Sequence, residues 1–186
     1  FIMKTLSQIY FPITATPFQN DQNYCEILPC NELKLYIRCF WGTKGVVETV
    51  KKLNWVPDII HVQGWLASML PLYMKKYYKD ETIFADTKIV TSVFTKTSDQ
   101  KLSENMYEKV AFDGFEATDI EVLKDATFEN IMKNAIDFSD GVIVSSESIS
   151  PDLTNYIETS GKPFLPFTPK EKMSEVYTDF YTNKVL

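Results

Sequence analysis

The sequence predicts an α/β protein with a Rossmann-like, open and mostly parallel β-sheet. Short β-branched or apolar runs that suit buried strands alternate with longer amphipathic segments that suit helices. Strands that alternate with helices are joined by right-handed crossovers, which place the strands parallel in one sheet. The size agrees, since 186 residues, 45% of them hydrophobic, suffice for one such domain with its own core.

The regular pattern begins at residue 45. Residues 45–55 are predicted to form a helix that ends before Pro57, and the apolar run 58–62 predicts the first strand. A second helix follows to about Tyr78, and Pro71 inside it predicts a kink or a late start. The buried face of the first helix is predicted to consist of Val46, Val47, Val50 and Leu53.

The middle of the chain predicts two more strands, "KIVTSVF" at 88–94 and "GVIVSS" at 141–146. Residues 95–125 between them are polar and predict short helices, such as one at 103–110. A longer helix follows with Thr127 as its N-cap. Its apolar side is predicted to be Phe128, Ile131, Met132, Ala135, Ile136 and Phe138.

The last segments predict a helix, a short strand and a closing helix. Ser150 suits an N-cap, Pro151 the first helical position, and Gly161 the position just past the end. "KPFLPF" then predicts a final strand. "KEKMSEVYTDFYTNKV" predicts a terminal helix that folds back on the domain.

Composition excludes several classes of protein. The net charge of -6, from 19 basic and 25 acidic residues, argues against a nucleic-acid partner, which needs a basic face. No apolar run approaches the roughly 18–20 residues that cross a bilayer, and no signal peptide is recognisable, so no membrane partner is expected. The chain begins at Phe1 rather than Met, which suggests a fragment.

The cysteines predict a reducing, cytoplasmic compartment. There are three, Cys25, Cys30 and Cys39, an odd number without the spacing of a disulfide framework. A zinc site would need a fourth ligand, and the only histidine, His61, is distant in sequence. No metal site is therefore predicted.

Ligands of open parallel sheets bind at the carboxyl ends of the strands, which directs attention to the turns after Val62, Phe94 and Val144. The last of these turns carries Ser145, Ser146, Glu147 and Ser148 before a helix. A phosphate or sugar contact is one interpretation, because helix N-termini attract anions. Helix capping is the favoured alternative. No Gly-rich nucleotide loop or hydrolase elbow is present.

The first turn, "HVQGW", combines His61, Gln63 and Trp65 with Gly64, which would let a backbone approach a ligand closely. Two interpretations remain open. The cluster is either a ligand-binding turn, or a strand histidine satisfied by the core beside a tryptophan that anchors the packing.

Three blocks of sequence resemble a known family. "GVVETVKKLNWVPDIIHVQGWLASMLPLYMKKYYKD", "KIVTSVF" and "NAIDFSDGVIVSSESI" are similar, in order and spacing, to the N-terminal domain of bacterial glycogen (starch) synthases, above all the short version of Bacteroidetes-type bacteria. The resemblance covers residues 44–186. It implies one half of a GT-B glycosyltransferase fold. The family transfers glucose from ADP-glucose to an α-1,4-glucan with retention of configuration. The resemblance implies that neither a metal nor another cofactor is needed.

The resemblance also implies where the sugar binds. The family carries a His-x-[His/Asn]-Asp-Trp-[His/Gln] loop that faces the sugar. His61 and Trp65 match it, whereas Gln63 replaces the His or Asn, Gly64 the Asp, and Leu66 the last polar residue. Leucine cannot donate a hydrogen bond there. The expected substrate-binding residues are therefore His61, Gln63, Gly64 and Trp65, with no catalytic residue assigned.

Two departures from the family bear on activity. Residues 1–43 show no Lys-x-Gly-Gly loop and form an unmatched segment, interpreted as divergent, poorly ordered or misread. The family's second domain, which binds the donor, has no counterpart in the 186 residues of the sequence. Retaining transfer clamps the donor between two domains, so the chain is expected to be inactive alone. It would work with a separately encoded donor domain or, alternatively, as a non-catalytic glucan-binding or regulatory module.

Overall fold

The computed structural model of the protein describes residues 44–64, 67–96 and 106–186. Four strands within these ranges form one sheet in the order β1-β2-β3-β4, and all three pairings are parallel. The strands are β1 (Ile59–Val62), β2 (Lys88–Val93), β3 (Gly141–Val144) and β4 (Phe164–Leu165). The predicted α/β class with a Rossmann-like parallel sheet is therefore confirmed.

Helices occupy the connections between the strands. In chain order they are α1 (residues 44–52), α2 (Leu70–Leu72, continued by a π-helical turn, Tyr73–Tyr77), α3 (Met106–Ala111), α4 (Ala117–Ile120), α5 (Phe128–Asp137), α6 (Pro151–Thr159) and α7 (Lys170–Phe180, continued by a π-helical turn, Tyr181–Val185). Single 3₁₀ turns lie at Thr82–Phe84 and Glu121–Lys124. Right-handed crossovers between neighbouring strands in sequential order put their helices on one face of the sheet.

The strand side chains alternate between two cores, as the pleat of a β-strand requires. One set packs with the crossover helices in the main core: Ile60, Val62, Ile89, Val93, Val142 and Val144. The other set faces a smaller core that is closed by Phe180 and Val185 of the α7 region: Ile59, Val90, Ile143 and Leu165. The sheet is thus covered on its second face by the closing helix.

The predicted helix caps are confirmed. The Thr127 hydroxyl accepts a hydrogen bond from the Asn130 backbone N–H at 3.2 Å and starts α5. Ser150 does the same for Leu153 at 3.3 Å and starts α6, with Pro151 as the first helical residue. Gly161, just past the end of α6, has a φ of +71°, which a glycine adopts without strain.

The start of α2 is as late as Pro71 predicts. Regular helix begins only at Leu70 and places the proline in its first turn, where the missing N–H is not needed. The predicted buried face of α1 is right for Val47 and Val50 but wrong for Leu53, whose side chain is 61% exposed. The helix ends at residue 52 and the chain reverses at Asn54, so Leu53 no longer follows the helical face.

Several predictions fall on residues that the structure does not describe. They concern the segment 1–43 with its three cysteines, the first residues of the helix predicted at 103–110, Trp65 and Leu66. No helix in the part of the chain that the structure does describe is long and apolar enough to cross a bilayer.

Candidate functional site

Hydrogen bonds join the carboxyl ends of β1 and β2 to each other and to the turn after β3 at one edge of the sheet. His61 Nε2 lies 2.7 Å from Ser92 Oγ, and the Ser145 hydroxyl donates to the same oxygen at 2.9 Å. Beyond β2, the Thr95 backbone N–H donates to Ser146 Oγ at 2.9 Å. The carboxyl ends of the strands, where ligands of such sheets bind, therefore form one connected polar edge.

His61 lies on the face of the sheet that α7 covers. Its Nδ1 is 2.8 Å from the Tyr181 hydroxyl. The rings of Tyr177 and Tyr181 meet the imidazole edge-on, with centroids 6.2 and 5.9 Å away. The half-buried ring is poorly solvated, and this burial lowers the pKa of His61 from 6.5 to about 4. The imidazole is therefore neutral at pH 7 and has a hydrogen-bond partner at each nitrogen.

Gln63 and Gly64 continue the chain beyond His61 into the turn. The Gln63 side chain is exposed, and its Nε2 is 3.4 Å from His61 Nδ1. Gly64 has a φ of +84°, a backbone conformation that favours glycine. Its carbonyl oxygen accepts hydrogen bonds from the Ala67 backbone N–H at 3.1 Å and the Ser68 hydroxyl at 3.3 Å. The structure thus brings His61, Gln63 and Gly64 together at the edge.

Most of the serine hydroxyls in the turn after β3 form hydrogen bonds within the protein. Ser150 caps α6, Ser145 and Ser146 join the strand ends, and the Thr95 hydroxyl donates to the Ser148 carbonyl. These bonds support the capping interpretation of this turn. Glu147 and Ser148 also line a neighbouring groove.

This groove has a volume of about 590 Å³ and lies between the β3–α6 turn, α6 and the segment that follows β4. Two partly exposed phenyl rings line it, Phe164 at 39% and Phe167 at 37% exposure. Glu147 and Glu158 bring two carboxylates, and neither forms a salt bridge with any residue that the structure describes. The groove therefore combines flat apolar surfaces with hydrogen-bond acceptors of negative charge.

Sequence reasoning missed Ser92, Tyr181 and Phe167 as residues of this edge. Alternation along β2 places Ser92 on the same face as Val90, a polar residue among apolar ones, and this was a usable signal. Tyr181 gave no such signal, because its contact with His61 joins positions 120 residues apart. Phe167 lies in a short irregular segment without periodicity.

A family model described as the starch synthase catalytic domain matches residues 7–161 of the chain. The match includes most of the segment 1–43, which lies outside the three sequence blocks that resemble the family. It ends before α7, so the closing helix and its tyrosines lie beyond the matched residues.

Curated relatives agree with that match. The glycogen synthase of Chlorobium luteolum is 31% identical over 104 residues, which are 55% of this chain and 21% of that protein. The glycogen synthase of Chlorobium phaeovibrioides is 26% identical over 148 residues, which are 79% of this chain and 30% of that protein. The chain therefore spans less than a third of the length of these relatives.

A solved structure supports the fold. The catalytic domain of Starch Synthase IV from Arabidopsis thaliana, bound to ADP and acarbose, is similar with a TM-score of 0.56 at 17% identity. The similar region covers 74% of this chain and 30% of that chain. At this identity the comparison establishes the fold alone, and it confirms the prediction of a Rossmann-like domain of the GT-B type.

Proposed function

Because the chain belongs to the starch synthase catalytic domain family, we propose that it binds an α-1,4-glucan at the carboxyl edge of its sheet. The observation that carries the proposal is the exposed Gln63 carboxamide beside His61, at the turn that corresponds to the family's sugar-facing loop. A carboxamide has both donors and an acceptor, which suits sugar hydroxyls. The proposed site residues are His61, Gln63, Gly64 and Trp65.

The groove beside α6 supports a neutral sugar as the ligand. The phenyl rings of Phe164 and Phe167 offer apolar surfaces to the C–H faces of a sugar, and the carboxylates of Glu147 and Glu158 can accept hydrogen bonds from its hydroxyls. The same carboxylates repel a diphosphate. The groove therefore favours a glucan over ADP-glucose.

For glucosyl transfer we propose a separately encoded donor domain that binds ADP-glucose. Diphosphate stabilisation needs cationic side chains or a helix N-terminus aimed at the leaving group. Lys96, the cation that follows β2, lies 3.9 Å from the Glu129 carboxylate and is partly neutralised by it. In this proposal, cationic groups of the donor domain stabilise the charge of the diphosphate.

The second candidate is a non-catalytic glucan-binding or regulatory module. It is favoured by the state of His61, which is neutral and hydrogen-bonded at both nitrogens. With a pKa near 4 such an imidazole is a weak base, and both of its nitrogens contact residues of the protein itself. Incubation of the full chain, together with the proteins that co-purify with it from the source cells, with labelled ADP-glucose and glycogen separates the two candidates. The first predicts incorporation that depends on the full chain, and the second predicts none.

Affinity electrophoresis of the full chain in a glycogen gel tests the glucan site. We expect the wild-type chain to be retarded and Gln63→Ala to lose most of the retardation. Asn54→Gly is the control, because it removes an exposed amide at the amino end of β1, where a φ of +48° suits glycine. Free migration of the wild-type chain, or equal retardation of Gln63→Ala, would contradict the proposal.

A further inference from the structure

We infer that Tyr181, supplied by the turn after α7, is a positioning residue of the proposed glucan site. Its hydroxyl occupies the lone pair of His61 Nδ1 and thereby leaves the Gln63 carboxamide available to the ligand. The inference rests on the proposed function and assigns a role to a helix that lies beyond the residues matched by the family model.

A neutral imidazole can form only one hydrogen bond at each nitrogen, and this limits the partners of His61. Such a ring has one N–H donor and one nitrogen with a single lone pair. The contacts fit the tautomer that we assign, in which the Tyr181 hydroxyl donates to Nδ1 and the protonated Nε2 donates to Ser92 Oγ. The ring is then fully used by two partners from the protein itself.

Two donors lie close to the same Nδ1, and their distances differ. The Tyr181 hydroxyl is at 2.8 Å, an ordinary hydrogen bond, whereas Gln63 Nε2 is at 3.4 Å, near the limit of one. Because the lone pair is taken by the closer donor, the Gln63 amide is held only weakly. The exposed carboxamide has no other hydrogen bond to the residues that the structure describes, so its second N–H and its carbonyl oxygen remain available to a ligand.

The position of Tyr181 is fixed by tight packing. Phe180 and Val185, on either side of it, are buried against the sheet at 3% and 8% exposure. They approach so closely over Gly141 that a Cβ there would be 2.9 Å from Val185 Cγ2 and 3.3 Å from Phe180 Cζ. The sheet thus carries a glycine where the α7 region docks, and this docking delivers the Tyr181 hydroxyl to His61.

Loss of the hydroxyl has a specific consequence for Gln63. In Tyr181→Phe, the Nδ1 lone pair is left to the Gln63 amide, the nearest remaining donor among the described residues, which we expect to turn onto His61 and away from the ligand. Tyr177→Phe is the matched control. Tyr177 is also edge-on to the imidazole, but the hydroxyl that lies against Nδ1 is that of Tyr181.

The test uses NMR of the full chain, in which His61 is the only histidine. In Tyr181→Phe we expect shifts of the Nδ1 resonance and of the Gln63 side-chain amide protons, and about a two- to tenfold loss of affinity for glycogen, the loss of one ordinary hydrogen bond. Tyr177→Phe is expected to leave all three unchanged.

The outcomes separate this inference from the proposed function. Unchanged Nδ1 and Gln63 signals in Tyr181→Phe, or equal changes in Tyr177→Phe, overturn the inference. Shifted signals with full glycogen affinity overturn the role of Tyr181 in the site. If the wild-type chain does not bind glycogen at all, the proposed function fails. The ring and amide signals then still decide whether Tyr181 holds the imidazole.

Discussion

The environment of His61 makes its protonation unfavourable. The half-buried ring is held between Ser92 and Tyr181, and burial lowers its pKa to about 4. An imidazolium at this position would carry its charge in a poorly solvated place with two neutral hydroxyl partners, Ser92 and Tyr181. His61 therefore serves as a neutral hydrogen-bonding element at physiological pH.

This state predicts a pH dependence of stability. The unfolded chain takes up a proton at His61 near pH 6.5, whereas the folded chain does so only near pH 4. Between these values the unfolded state binds more protons, so the free energy of unfolding falls as the pH is lowered and is constant above about 6.5. From about pH 7.5 to about pH 5 the loss attributable to His61 is about 2 kcal/mol.

Urea unfolding at both pH values measures this loss, with His61→Gln as the reference that carries no titratable ring. The difference in pH dependence between the two proteins isolates the histidine from the carboxylates. Equal dependence in both proteins, or a His61 resonance that titrates near pH 6.5 in the folded chain, would contradict the assignment.

Gly64 shows how one position can be misjudged from a motif. The family carries an acidic residue there, so the glycine suggests a lost polar contact. The φ of +84° and the two hydrogen bonds that its carbonyl accepts give it a conformational role in the turn. Sequence alone does not reveal a positive φ, because a glycine also adopts the ordinary backbone conformations.

The attachment of α7 to the sheet depends on a glycine of β3, Gly141. Few of its side chains are buried, and its attachment to the sheet relies on Phe180 and Val185 over Gly141. Burial of so few apolar side chains contributes little free energy to hold the helix on the sheet. The fit over the glycine is therefore decisive for the helix.

Gly141→Ala tests that fit. The added Cβ overlaps Val185, and because a branched side chain beside the strand cannot easily move away, we expect a loss of about 1–3 kcal/mol in the free energy of unfolding. Gly45→Ala is the matched control, since among the described residues its added Cβ meets nothing within 4 Å beyond its chain neighbours and its own helix backbone, and a helical alanine is favoured by about 0.5–1 kcal/mol. Equal effects of the two substitutions, measured in urea, would show that α7 does not pack as described.

The sequence predicted most of the helices and strands, and the predictions that failed did so for local reasons. Periodicity and caps located α5 and α6, because Thr127 and Ser150 signal a helix start independently of tertiary contacts. The assignment of Leu53 failed because a helical pattern does not show where a helix ends. The closing helix was predicted, but its contact with His61 was not, since that pairing depends on how the helix crosses the sheet.

For the protein as a whole, the order of the strands determines where a site can form. Four parallel strands in sequential order bring the carboxyl ends of β1, β2 and β3 to one edge, where the His61 imidazole contacts the Ser92 hydroxyl and the Ser145 hydroxyl donates to it. The sequence predicted this edge because the rule about carboxyl ends needs only the strand positions. It could not predict the groove, which depends on the packing of α6 against the segment after β4.

The central claim is that a glucan binds at this edge through the exposed Gln63 carboxamide. An NMR titration of the full chain with a neutral malto-oligosaccharide tests it directly. We predict shifts of the Gln63 side-chain amide and of backbone amides in the turns after β1 and β3, with Asn54 at the amino end unmoved. A spectrum that does not change, or one in which only residues at the amino ends of the strands respond, would contradict the claim.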